Sequence, residues 1–104
     1  YDAIQDLPYL NAVLHESLRI NPITASGFDR DTPEGGGMLD GYYIPEGTTV
    51  LTSILTLQRD KEVFPEPLVF KPERWIDASP EQLQVMQKHF IPFLVGPRAC
   101  LGRK

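Results

Sequence analysis

Proline limits what this chain can fold into more than any other feature. Ten prolines are spread over 104 residues. Each lacks a backbone donor and fixes φ, so a helix holds one comfortably only in its first turn. Asp6 is placed to cap a helix whose opening turn carries Pro8, and Asn21-Pro22 closes that helix, because the residue before a proline is driven out of the α region. Leu7, Leu10, Leu14 and Leu18, flanked by Val13, form one apolar stripe on it at helical spacing. Residues 23–28 are small and mostly apolar, without helical periodicity. Residues 31–41, with Pro33 and a flexible tip at Gly35-Gly36-Gly37, read as turn material. Tyr42-Tyr43-Ile44 and residues 48–52 read as two strands about a tight turn at Pro45-Glu46-Gly47. Residues 55–60 suit a short helix, whereas the prolines recurring over 64–72 favour irregular coil. Ser79-Pro80-Glu81-Gln82 is a capping box with proline at the first helical position, and Leu83, Met86 and Phe90 give the following helix an apolar side.

A chain of this length is at most one domain, near the lower limit for a stable core. Its net charge of −4 argues against a nucleic-acid partner, for which a basic patch is the expected footprint. One cysteine excludes an internal disulfide. No apolar run reaches the roughly 18 to 20 residues that cross a bilayer, and no signal-peptide pattern opens the chain.

The chemistry concentrates in the last residues. Cys100 lies between Gly96 and Gly102 and two positions after Arg98. A thiol near a cation, with flexible backbone on both sides, suits a soft metal ligand in an anion-binding loop. The thiolate is the ligand form, and cationic neighbours favour it. Gly96 and Gly102 allow a flat cofactor to approach the backbone closely. Taken alone, a lone cysteine is more often a buried packing residue. A nucleophilic cysteine needs a base, and neither His15 nor His89 lies in a catalytic motif. A phosphate loop needs four residues between its glycines and a Ser or Thr after the lysine; five separate Gly96 from Gly102, and Arg103-Lys104 supplies no hydroxyl.

Phe93, Gly96, Arg98, Cys100 and Gly102 fill the pattern F-x-x-G-x-R-x-C-x-G, which resembles the haem-thiolate loop of the cytochrome P450 family. Glu16-Ser17-Leu18-Arg19 resembles the family's E-x-x-R helix. Pro72-Glu73-Arg74-Trp75 resembles its P-E-R-F segment, with Trp for the usual Phe. Arg59-Asp60 followed by Val63-Phe64-Pro65-Glu66-Pro67 resembles the stretch between them. The four occur in the family's order, so the resemblance covers essentially the whole chain.

The resemblance implies a mainly α fold with small β-sheets, of which residues 1–104 are the haem-binding, C-terminal portion of a longer single domain. It implies haem b (iron protoporphyrin IX) as cofactor, with Cys100 as the axial iron ligand; an anionic sulfur there favours O–O cleavage. Phe93, Gly96 and Gly102 would shape the loop, and Leu101-Gly102 would open a helix whose N–H groups temper the sulfur's charge. Arg98 is either a surface cation or, in the family's loop, a bidentate partner of a haem propionate. Arg30 matches a second propionate contact. Local periodicity sets Glu16 and Arg19 opposite the leucine stripe, as an exposed pair would be, whereas the resemblance implies a buried structural network with Arg74. Residues 23–28 either line an apolar substrate pocket or pack as plain core. The expected activity is insertion of one oxygen atom of O₂ into an organic, mostly apolar substrate, with electrons from a reductase partner. Membrane attachment of the parent, at the endoplasmic reticulum for a microsomal type, is compatible with it. A truncated non-catalytic product, a haem-binding sensor and a peroxygenase-like haem-thiolate protein are the alternatives.

Overall fold

The structure is a computed structural model that describes residues 6–103. The expected opening helix forms as α1, Pro8–Ile20, with proline in its first turn. Its cap is Leu7, not Asp6, and no side chain closes the first turn. Proline at the first position already removes one donor that would need a cap. Asn21 ends the helix as expected, its N–H bonding to the carbonyl of Ser17.

The leucine stripe does not make the core. Leu7, Leu10 and Leu14 are exposed, and the residues that α1 buries are Ala12, Glu16 and Arg19. What buries that face is the coil of residues 64–75, which returns across α1 and ends in a 3₁₀ turn, Pro72–Trp75. Among the described residues Ala12, Ile54, Phe64 and Met86 form the hydrophobic core, with Pro22 and Pro72 buried too, beside the fully buried Glu16, Arg19 and Gln58.

The middle of the chain pairs differently from expectation. Strands β1 (Arg30–Asp31), β2 (Gly37–Leu39), β3 (Tyr42–Ile44) and β4 (Thr49–Val50) form two antiparallel pairs, β1 with β4 and β2 with β3. Tyr42-Tyr43-Ile44 and residues 48–52 are therefore not partners. β3 pairs backward, Leu39 opposite Tyr42 and Gly37 opposite Ile44, through a two-residue turn at Asp40-Gly41. Both turn residues have positive φ, 48° and 82°, as a type I′ hairpin turn requires. The glycine run is not a loose tip. Gly36 has φ 71°, and a Cβ there would stand 2.6 Å from both the Ile44 carbonyl oxygen and the Tyr43 hydroxyl.

Helix α2, Ile54–Leu57, is shorter than expected and begins one residue earlier; Ser53 accepts from the Thr56 N–H at its start. Helix α3, Pro80–His89, has the expected capping box: Ser79 accepts from the Gln82 N–H while the Gln82 side chain accepts from the Ser79 N–H. Met86 is its buried residue. Among the described residues no helix is long and apolar enough to cross a membrane.

Candidate functional site

Glu16 is the centre of the buried polar network. Its Oε1 accepts from Arg19 Nη2 at 2.8 Å, Arg74 Nε at 3.0 Å and the Lys71 N–H at 3.0 Å. Its Oε2 accepts from Arg19 Nε at 2.8 Å and Trp75 Nε1 at 2.9 Å. The two arginines carry the network on into the coil. Arg19 Nη1 donates to the carbonyls of Gln58 and Pro67, and Arg74 Nη1 donates to that of Pro65. A segment rich in proline has few regular backbone partners; guanidinium groups satisfy its carbonyls instead. Burial alone would raise the Glu16 carboxyl, but the hydrogen bonds from Arg19, Lys71, Trp75 and Arg74 overcome it and hold the pKa down to about 2.

Trp75, where phenylalanine is usual in the resembling pattern, thus spends its N–H on Glu16. Its ring meets Phe90 edge-on at 5.0 Å and His15 at 5.2 Å, and Arg19 stacks over Phe64 at 5.3 Å. Tyr9 donates to Glu73 at 3.1 Å, so two residues of α1, Tyr9 and Glu16, hold Glu73, Arg74 and Trp75 of the turn. Burial lowers the pKa of His15; a hydrogen bond to the Asn11 backbone opposes the shift, and the charge of Arg103 adds to it.

The sequence does not single out Gln58, yet it is fully buried. Its Nε2 donates to the carbonyls of Leu18 and Arg19 at 3.0 and 3.1 Å, and its Oε1 accepts from the Ile91 N–H at 3.1 Å. The available signal is slight: a neutral amide between the apolar Leu57 and the Arg59-Asp60 pair.

The cysteine loop leaves the core just after Ile91. Leu94 and Gly96 have φ 58° and 69°, and Gly96–Arg98 forms a 3₁₀ turn. The Cys100 N–H then bonds back to the Phe93 carbonyl at 2.8 Å, closing residues 93–100 into a ring. Cys100 is exposed. Gly102 lies beside its sulfur: a Cβ at that position would stand 3.6 Å from Sγ. Leu101-Gly102 is a turn and not the start of a helix within the described residues, closed by the Arg103 N–H on the Cys100 carbonyl at 3.3 Å. Lys104 lies outside the described residues.

Glu16, Arg19 and Arg74 come together, and Phe93, Gly96, Arg98, Cys100 and Gly102 share one loop. Arg98 is exposed at the end of the 3₁₀ turn. Arg30 is exposed on β1, and its side chain donates to the adjacent Asp29 carbonyl. Residues 23–28 form turns against residues 52–55, where the Leu55 N–H bonds to the Ala25 carbonyl; Ile23 and Phe28 are exposed, 88% and 47%. A groove of about 500 Å³ lies against Lys71, Arg74, Asp77 and Met86, and no residue of the cysteine loop lines it. An exposed sulfur on a closed loop, a glycine at its flank and an exposed arginine two residues before it suit a flat, anionic cofactor with an open metal position.

A family model described as Cytochrome P450 matches residues 1–104. Cytochrome P450 monooxygenase orf2 of Aspergillus niger is 43% identical over 102 residues, 98% of this chain and 20% of that protein. Sesterfisheric acid synthase of Neosartorya fischeri is 42% identical over 101 residues, 94% of this chain and 18% of that protein. Among solved structures, a zebra fish cytochrome P450 determined with abiraterone matches with a TM-score of 0.77 at 30% identity, over 97% of this chain and 22% of that one. The chain spans about a fifth of the length of the relatives it matches.

Proposed function

The chain belongs to the cytochrome P450 family and its helices and small sheets are part of that fold; from that premise we propose that it is the haem-holding part of a haem-thiolate monooxygenase. Cys100 would supply the thiolate that holds the iron of haem b, and Arg98, with Arg30, would bind its propionates. Phe93, Gly96 and Gly102 shape the loop that carries the sulfur. When bound, the haem iron supplies the oxygen chemistry, one atom of O₂ entering an organic, mostly apolar substrate and the other leaving as water. A reductase partner supplies the electrons.

The chain's own part is to present one sulfur in one place. The Phe93–Cys100 backbone bond closes the loop, and the positive φ values at Leu94 and Gly96 turn it tightly. Glu16, Arg19 and Arg74 are not among the cofactor contacts; they hold the coil and the 3₁₀ turn against α1, and Trp75 of that turn packs on Phe90, three residues before Phe93.

The observation that carries this reading is the exposed Cys100 sulfur on a closed loop flanked by Gly102 and Arg98. In the haem-loaded protein, the reduced carbon-monoxide complex is expected to show the strongly red-shifted Soret band of thiolate ligation, and Cys100→Ala to abolish it. A variant spectrum identical to wild type removes Cys100 from the iron.

A further inference from the structure

Gln58 is an uncharged amide at 0% exposure in a chain whose core is small. Burying an amide is unfavourable unless its donors and acceptor find partners, and here they do. Both Nε2 protons go to α1, on the Leu18 and Arg19 carbonyls. These belong to the last turn of the helix, whose carbonyls have no partner within the helix itself. The acceptor Oε1 goes elsewhere, to the Ile91 N–H. The main chain of Gln58 is engaged too, its N–H on Ile54 and its carbonyl receiving Arg19 Nη1 at 3.0 Å. One residue therefore joins α1, the end of α2 and residue 91.

Ile91 stands two positions before Phe93, where the cysteine loop begins. Its carbonyl accepts from the Leu94 N–H at 3.0 Å, and the Phe93 carbonyl accepts from the Cys100 N–H at 2.8 Å. Hydrogen bonds, joined by short steps of main chain at Ile91 and between Phe93 and Leu94, lead from the Glu16–Arg19 pair through Gln58 to the cysteine. An apolar side chain of the same size would fill the space and leave Ile91 N–H and two helix carbonyls unpaired, so packing alone does not call for glutamine here.

We propose that Gln58 is a positioning residue for the cysteine loop: through the Ile91 amide it sets where the loop leaves the core, and so how Cys100 is presented to the haem iron. The second half of this statement rests on the ligand assignment above; the tie between Gln58 and the loop does not.

Two substitutions in the haem-loaded holoprotein test it from opposite sides. Gln58→Met keeps length and loses every side-chain hydrogen bond. Ile91→Pro removes the one N–H that Oε1 accepts and leaves the bonds of Gln58 to α1; Phe90 is already extended, so proline can follow it. Each variant is expected to speed amide exchange at Leu94 and Cys100 roughly fivefold, the weight of one net hydrogen bond. Each is also expected to move part of the reduced carbon-monoxide complex from the thiolate-type band to the thiol-type band. In the double variant the two effects should not add, because both substitutions remove the same bond. Wild-type band shares and wild-type loop exchange in both single variants, even with a lowered melting temperature, would overturn the proposal and leave Gln58 a mere cap for α1. A wild-type holoprotein without the thiolate band overturns the ligand assignment instead, and the exchange measurement then decides the Gln58 tie by itself.

Discussion

Glu16 shows how one carboxylate can organise a segment that has no regular structure. It accepts from two arginines, a backbone N–H and an indole, all at 3.0 Å or less, with no exposed surface. Removing one partner of a buried pair leaves the others charged and unpaired, at a cost of roughly 3–5 kcal/mol, whereas an exposed pair on a helix contributes only a few tenths. Glu16→Ala is therefore expected to give little haem-loaded protein, with a chemical-denaturation midpoint far below wild type; a normally stable, normally loaded variant would make the pair superficial. The acid dependence has a definite sign. The carboxyl sits at about 2, below its ordinary 4.5, so the folded state binds the proton less readily than the unfolded one. The contribution of Glu16 to stability is complete above about pH 4.5 and is lost as pH falls toward 2. The stability gap between wild type and Glu16→Gln should narrow across that window and stay constant above it.

At the scale of elements, the helices follow local signals and the sheets follow backbone freedom. The capping box at Ser79 and Gln82 places α3 because both partners lie within one turn. The β2–β3 hairpin depends on Asp40-Gly41 at its turn and on Gly36 at its open end. Gly35 and Gly36 have similar φ, 80° and 71°, but a Cβ on Gly35 meets nothing within 4 Å, whereas on Gly36 it meets Ile44 and Tyr43. Left-handed backbone costs a residue with a Cβ about 1–2 kcal/mol. Gly35→Ala should show that conformational cost alone; Gly36→Ala should add a clash and open the hairpin. Amide protection at Ile44, opposite Gly37 in the hairpin, is the measurement, and equal protection in the two variants would show that the close approach at Gly36 is unimportant.

At the scale of the whole molecule, the chain is extended. Its radius of gyration is 16.3 Å and its axes are 50 × 31 × 22 Å, whereas a compact domain of this length has a radius of about 13 Å. Among the described residues four hydrophobic side chains form the buried core, beside two buried prolines, and Leu7, Leu10 and Leu14 on the outer face of α1 are exposed. So little buried apolar surface leaves scant margin over the conformational entropy of the chain. Residues 1–104 produced alone are expected to unfold broadly and without cooperativity, followed by circular dichroism on heating. A single sharp transition would show that the Glu16 network and four core residues suffice for an independent fold.

Local signals suffice for the span of α1, the irregular 64–72 coil and the start of α3, because Pro8, Asn21-Pro22 and the Ser79–Gln82 box all act within a few residues, whereas α2 is shorter than its pattern suggests and starts one residue earlier. The sequence by itself also carried the family pattern, from Glu16 through Arg74 to Cys100. Apolar spacing misleads about which face of α1 is buried, because the leucine stripe does not record what packs on it; the family resemblance points to the Glu16–Arg19 face, and the fold supplies what covers it. The partner of that face is a coil about 50 residues further on, whose free carbonyls call for arginines and a carboxylate in place of leucines. The strand pairing of residues 30–50 was settled by Asp40-Gly41 and Gly36, a turn chemistry that strand propensity does not register. Gln58 became visible only with its partners in place, since its three side-chain bonds reach residues 18, 19 and 91, and no local pattern can announce contacts so far apart.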